Sequence, residues 1–138
     1  METSDQWITE RSGIKQRRIA RADEATSDMA LAAAKEALAD AKLTAQDIDL
    51  IVVGTITSDT IFPSTACLIQ KKVDAKNAWG FDLSAACSGF VYSLTVGDQF
   101  IRSGKHKKVI VVGVDIMSSI LNLKDRNTCV LFGDGCGA

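Results

Sequence analysis

Two uninterrupted apolar runs, one in "DLIVVGTIT" and one in "KKVIVVGVD", stand among stretches of helical character, and this alternation constrains the fold most. A strand exposed on one face alternates apolar with polar residues, whereas a continuous run suits a strand covered on both faces of a parallel sheet. Between the two runs, "PSTACLIQKKV" predicts a helix with Pro63 as its first residue, and "AWGFDLS" predicts a further strand. After Cys87 a helix is expected to about Ser103, closed by Gly104. Ahead of the first run, "TSDQWITERSG" reads as a short helix, with Thr3 and Gln6 spaced as a capping box and Gly13 ending it. "IKQRRIA" then runs extended, and "TSDMALAAAKEALADAK", from Thr26 to about Lys42, is an alanine-rich helix whose small side chains permit close packing. The remainder, "NTCVLFGDGCGA", predicts a strand that stops in a tight glycine-rich turn. Strands trading places with helices imply a layered α/β fold with a largely parallel sheet and right-handed crossovers.

Composition narrows the functions open to such a fold. At 138 residues with 46% hydrophobic content, the chain suffices for the core of one domain. Sixteen basic residues against 17 acidic ones leave no global attraction to nucleic acid or anionic membrane, so any charged ligand is held locally. "METSDQWITE" lacks the apolar core of a signal peptide, and no apolar run approaches the ~18 residues a bilayer requires, so a soluble cytoplasmic protein is expected. The four cysteines, Cys67, Cys87, Cys129 and Cys136, form no CxxC pair and adjoin no histidine cluster; reduced thiols and no bound metal are expected.

Of these thiols Cys87 has the most telling position, in "GFDLSAACSGFVYSL", where a strand gives way to a helix. In open α/β sheets active groups gather at the carboxyl ends of strands, where a following helix points its N-terminus. Unpaired N–H groups there favour a thiolate, the nucleophilic form of cysteine. Ala85, Ala86, Ser88 and Gly89 leave room for an acyl group, and N–H groups of the turn can donate to the oxyanion of a tetrahedral intermediate. The competing reading is a buried structural cysteine, a common fate for this residue type. Cys67 within a helix and Cys129 within a strand read as core positions, while Cys136 falls in a glycine loop.

"DLSAACSGFVYSL" resembles the nucleophile segment of the β-ketoacyl-acyl carrier protein synthase III family, the initiating condensing enzymes of type II fatty acid synthesis, in the thiolase superfamily. "TSDQWITERSGIKQRRIA" is similar to that family's N-terminal signature, "FPSTAC" to its segment before the active-site strand, and "DRNTCVLFGDGCGA" to the end of its first half, in the expected order and spacing. The resemblance implies a layered thiolase-like fold, with helices on both faces of a mostly parallel sheet. It makes residues 1–138 the first of two similar halves of a longer enzyme, incomplete at both ends. It implies Cys87 as the acyl-accepting nucleophile, and Trp7 with Arg126 as the pair that sandwiches the adenine of coenzyme A, since aromatic and guanidinium planes both stack on a base. Arg11 then meets the coenzyme's phosphates, and Thr3 hydrogen-bonds nearby. Phe62 resembles a dimer-interface phenylalanine that reaches into the neighbouring subunit's acyl pocket. Acyl-coenzyme A and malonyl-acyl carrier protein are the implied partners, with a homodimer expected, no nucleic acid or membrane partner, and no prosthetic group.

Each of these residues also has a plainer reading. Trp7 can pack its helix onto the domain, Arg126 can be a solvated turn residue in "LKDRN", and Phe62 can be local core. "GDGCG" lacks the Lys-Ser/Thr of a P-loop and the order of a dinucleotide site, and reads as a structural turn. The lone histidine, His106, and the lysines around it in "SGKHKK" read as a solvated turn, so the histidine that the family uses in condensation is not found here. Two further identities remain open: a ketoacyl synthase of a polyketide-type pathway, sharing the Cys87 chemistry, and a non-catalytic acyl- or coenzyme A-binding module.

Overall fold

Every residue of the first apolar run is buried, and it forms β1 (Leu50–Gly54). In the computed structural model, which describes residues 2–138, β1 is flanked in parallel by β2 (Trp79–Leu83) and β3 (Val109–Ile116). The short β4 (Asp134–Gly137) closes the sheet antiparallel to β3, giving the order β2-β1-β3-β4 among the described residues. Around the sheet run α1 (Asp5–Ser12), α2 (Thr26–Asp40), α3 (Thr65–Val73) and α4 (Gly89–Arg102). Ala30, Ala34 and Leu38 of α2 and Ala66 and Ile69 of α3 pack on Ile51, Val53, Ile110, Val112 and Val114. The alanines let α2 approach closely, so small side chains here set the thickness of the layer. α4 covers the opposite face, where a Cβ added at Gly97 would lie 3.0 Å from Val111 and 3.3 Å from Val109. The layered α/β expectation, with helices on both faces of a mostly parallel sheet, is thus met.

β1 is covered on both faces, as its run implies, but β3 alternates: Ile110, Val112, Val114 and Ile116 are buried while the residues between them are only half-buried beneath α4. Part of the apolar surface of α4 has no cover either; Val91, Tyr92, Leu94 and Ile101 are exposed. No helix among the described residues is long and apolar enough to cross a membrane.

Several boundaries differ from the expectations, each through a local competitor. α1 is capped by Ser4, whose side chain accepts from the Trp7 N–H at 3.1 Å, rather than by Thr3, which lies outside the helix and exposed. Two adjacent hydroxyl residues satisfy the same capping chemistry, and the spacing to Gln6 does not choose between them. α3 starts at Thr65 with Ser64 as its cap, which places Pro63 before the helix, after a cis Phe62–Pro63 bond, and not at its first turn. Gly13 and Gly104 end their helices with φ of 70° and 79°, as expected of glycine.

The largest correction lies in "NTCVLFGDGCGA", where strand and turn exchange places. Asp125 organises Asn127–Cys129 as turns: its side chain accepts from the Asn127 N–H and its carbonyl from the Thr128 and Cys129 N–H groups. Such Asx chemistry overrides the apolar run that follows, of which only Val130 is buried. Cys129 therefore lies in a turn, and Cys136 in strand β4 instead of a glycine loop. The glycine-rich stretch is the strand because β3 offers an unpaired edge, and because Asp134 pins its first residue. The Asp134 carboxylate, 8% exposed, accepts from the Ala20 N–H at 2.7 Å, the Ser118 N–H at 2.8 Å and the Ser118 hydroxyl at 2.6 Å. Burial pushes this carboxyl up, yet the N–H and hydroxyl donors outweigh it and hold Asp134 below its ordinary range.

A folded-state value below the unfolded one means that stability is present above about pH 4 and is lost as pH falls through the lowered value. Asp134→Asn is expected to lose about 1–3 kcal/mol at pH 7, and to lose less than the parent chain on acidification. Urea midpoints at pH 7 and pH 3 check this; equal acid sensitivity in both chains would remove Asp134 from the account.

Candidate active site

Gly54 and Gly113 pair across β1 and β3 at the carboxyl end of the parallel strands. There the backbone of α4 comes to rest on the sheet: a Cβ at Gly54 would fall 2.6 Å from the Gly89 carbonyl carbon, and one at Gly113 would fall 3.0 Å from the Phe90 Cβ. Any side chain at either position would lift the head of α4. Between β2 and this seated helix the chain turns through a single 3₁₀ turn, Ala86–Ser88, with Ala86 at φ 46°. A left-handed conformation in a residue bearing a Cβ costs on the order of 1–3 kcal/mol, and it is held here by the packing on either side. The result is a sharp strand-to-helix elbow that presents Cys87 at the head of α4.

Cys87 is exposed, which contradicts the buried-cysteine reading. It opens onto a cavity of about 520 Å³ whose walls include Gly54, Phe90, Gly113, Asp115, Gly133 and Gly135. That volume lies within the range of small-molecule sites. The glycines leave the wall without side chains, so an acyl thioester can approach the sulfur from the solvent side.

Two carboxylates that the sequence reading passed over brace this end of the sheet. Asp82, at the end of β2, accepts from the Thr65 N–H at 2.7 Å and the Ala66 N–H at 2.8 Å, satisfying the first turn of α3. Asp115 Oδ1 accepts from the Thr55 hydroxyl, the Ile56 N–H and the Thr57 hydroxyl, at 2.8–3.0 Å. It thereby fixes the turn that leaves β1. The signal that could have found Asp115 is the paired "VVGT" and "VVGV", which put an acidic residue two positions beyond the second glycine, against the threonines beyond the first.

Past that turn, Ile61 and Phe62 project into solvent, with Phe62 87% exposed, so it is not local core. At the other end of the chain, Trp7 is half-buried between cations: the Arg11 guanidinium lies 4.3 Å from its ring centre and that of Arg126 lies 5.1 Å away. Arg126, exposed, is tied to the Glu2 carbonyl at 2.9 Å, so it is not simply a solvated turn residue. The structure thus brings Trp7, Arg11 and Arg126 together, though residues far apart in sequence supply them, and leaves Thr3 exposed beside them. His106 is also more than a solvated turn residue: it is half-buried against Trp79 and Phe100, at the opposite end of the sheet from Cys87.

Residues 81–138, from β2 through Cys87 to the final residue, match the family model described as 3-oxoacyl-[acyl-carrier-protein (ACP)] synthase III. Over all 138 residues the chain is 57% identical to a β-ketoacyl-[acyl-carrier-protein] synthase III of Solibacter usitatus. The crystal structure of the Aquifex aeolicus 3-oxoacyl-[acyl-carrier-protein] synthase III superposes over 98% of this chain, with a TM-score of 0.95 and 53% identity. The chain resembles these synthase III proteins along its whole length. It spans 42% of the Solibacter protein and 44% of the Aquifex chain. The priming β-ketosynthase of the R1128 polyketide pathway is also similar, with a TM-score of 0.95 and 40% identity over 98% of this chain and 40% of its own. The thiolase-like layered α/β fold follows from these matches and from the sheet described above.

Within this fold the four thiols are not equivalent. Cys67 donates toward the Gly80 carbonyl and is half-buried, as is Cys129. Cys136 is an exposed residue, but its sulfur turns inward to donate to the Met29 carbonyl at 3.2 Å. Burial pushes the Cys136 thiol up, which lowers its thiolate fraction. Iodoacetamide at neutral pH is therefore expected to label Cys87 first, with Cys136 slower and the other two slowest. Gly54→Ala should cost about 1–3 kcal/mol by overpacking and change the Cys87 labelling rate more than that of Cys67. Peptide mapping by mass spectrometry reads both; preferential labelling of Cys67 or Cys129 would count directly against the site.

Proposed function

We propose that Cys87 is the acyl-accepting nucleophile of an initiating condensing enzyme of type II fatty acid synthesis. The observation that carries this is the exposed thiol on a left-handed elbow, at the head of α4 and facing a glycine-walled cavity. Acyl transfer from acyl-coenzyme A breaks the thioester to the coenzyme, forms one to Cys87 and releases the coenzyme thiol. N–H groups of the elbow supply donors for the oxyanion of the tetrahedral intermediate. The acyl-enzyme then condenses with malonyl-acyl carrier protein as carbon dioxide leaves, which makes the reaction ping-pong. No prosthetic group enters this chemistry, and the setting we propose is the cytoplasm.

Trp7 and Arg126 hold the adenine of the coenzyme between them, with Arg11 toward its phosphates and Thr3 at the margin. In support, the indole and the Arg126 guanidinium are already neighbours at 5.1 Å, and aromatic and guanidinium planes both stack on a base. Phe62 reaches the acyl pocket of a second copy in a homodimer; its exposure on a loop that projects from the domain supports this. Residues 1–138 then act as the first of two similar halves of the working enzyme. The similarity to a polyketide priming β-ketosynthase favours a second reading, in which the same Cys87 chemistry starts a polyketide chain and only the acyl donor differs.

Calorimetry with coenzyme A tests the adenine site: Trp7→Ala and Arg126→Ala should each weaken binding by about 1–3 kcal/mol. Unchanged affinity in both would leave the sandwich without support.

Radiolabelled acetyl-coenzyme A should label the chain at Cys87 and not in Cys87→Ala. With malonyl-acyl carrier protein added, sustained β-ketoacyl product is not expected from the 138-residue chain. Among the described residues, the cavity walls contain no histidine, asparagine or lysine to stabilise the charge left by decarboxylation, and one such donor is typically worth about 3–4 kcal/mol. Sustained turnover by the 138-residue chain would overturn this division of labour, and labelling undiminished in Cys87→Ala would overturn the nucleophile.

A further inference from the structure

We propose that His106 is a proton-sensitive latch joining the start of β2 to the end of α4, the two elements whose other ends hold Cys87 between them. The Trp79 indole N–H donates to His106 Nε2 at 3.0 Å. Both rings stand edge-on to Phe100, with centroids 5.6 Å and 5.1 Å away, and Phe81 completes the group at 5.8 Å from Trp79. Trp79 and Phe81 belong to β2, Phe100 to the last turns of α4, and His106 to the connection into β3. The contact therefore closes the end of the layer remote from the elbow.

The hydrogen bond dictates the state of the ring. An indole nitrogen only donates, so Nε2 must present its lone pair, and the imidazole must be neutral with its proton on Nδ1. Nδ1 is buried and without a partner among the described residues, so its N–H is equally unpaired whichever charge the ring carries, and the contact with Trp79 is what distinguishes the two states. Protonation places an N–H on Nε2 against the indole N–H, and the bond is lost.

The surrounding charges supply an alternative position. Asp49, which precedes β1, interacts with His106 electrostatically and attracts an imidazolium, although one of its oxygens already accepts from the Lys107 and Lys108 N–H groups. Lys105 and Lys107 flank the ring in sequence and oppose its charge. Lys108 is paired with Asp47 and Arg102 with Asp98, so neither is available to replace the indole. The two states are thus a neutral ring bonded to Trp79 and a charged ring drawn toward Asp49. Release of Trp79 frees the first residue of the edge strand β2.

His106 is the chain's single histidine, so its ring protons are identified without mutation. In the parent chain the His106 Hε1 resonance and the Trp79 indole N–H resonance should shift together, with one midpoint, on acidification. In a Trp7→Phe background the emission of Trp79 should follow the same midpoint, and should be flat in His106→Gln, whose amide oxygen still accepts but does not titrate. Asp49→Asn should move the midpoint to lower pH. A Trp79 signal flat in the parent, one that titrates apart from His106, or one that persists in His106→Gln would overturn the latch; an unmoved midpoint in Asp49→Asn would overturn its charged state.

Discussion

The approach of α4 to the sheet at Gly54 and Gly113 is the contact on which the rest of the site depends. These glycines, paired in register on adjacent parallel strands, let the helix rest backbone to backbone on β1 and, through its own Phe90, on Gly113 of β3. Because the helix is seated so low, the connection from β2 has only one short turn in which to rise to its head. That turn is completed by putting Ala86 in a left-handed conformation. Close packing thus produces both the local strain and the exposure of the thiol.

Carboxylates do the remaining alignment, each in the same manner. Asp82, Asp115 and Asp134 accept from backbone N–H groups of segments that have no ladder partner there. Asp82 ties α3 to β2, Asp115 ties the departure of β1 to β3, and Asp134 ties β4 to the extended arm at Ala20. An ionised carboxylate offers two oxygens and about four lone pairs, so it can gather donors from segments distant in sequence. The cavity beside Cys87 is therefore bounded by loops held at their ends, although few of its wall residues carry long side chains.

The strand-helix alternation was legible because β1 and α2 obey simple rules: an unbroken apolar run needs cover on both faces, and alanine spacing fits a helix on a sheet. Cys87 was legible as a nucleophile candidate because its position follows from the order of elements, and the family likeness of its segment narrowed its chemistry. "NTCVLFGDGCGA" misled because propensity favours Val and Phe in strands over Gly, while pairing along the β3 edge and the three donors on Asp134 decide which stretch enters the sheet. His106 misled for a similar reason: its polar neighbours in sequence are not its neighbours in space.

The sequence by itself determined the layered α/β class, the helices that follow β1 and β2, and the placement of one cysteine at a strand-to-helix junction. These depend on local periodicity and composition, which short stretches carry on their own. Only the tertiary structure decided that Trp7 meets Arg126, that Phe62 projects rather than packs, that β4 is the glycine-rich segment and that His106 accepts from Trp79. Each of these joins residues whose separation in the chain places no limit on their distance in space. Their contact is set by how closely the layers pack, and here that closeness depends on two glycines sharing one register.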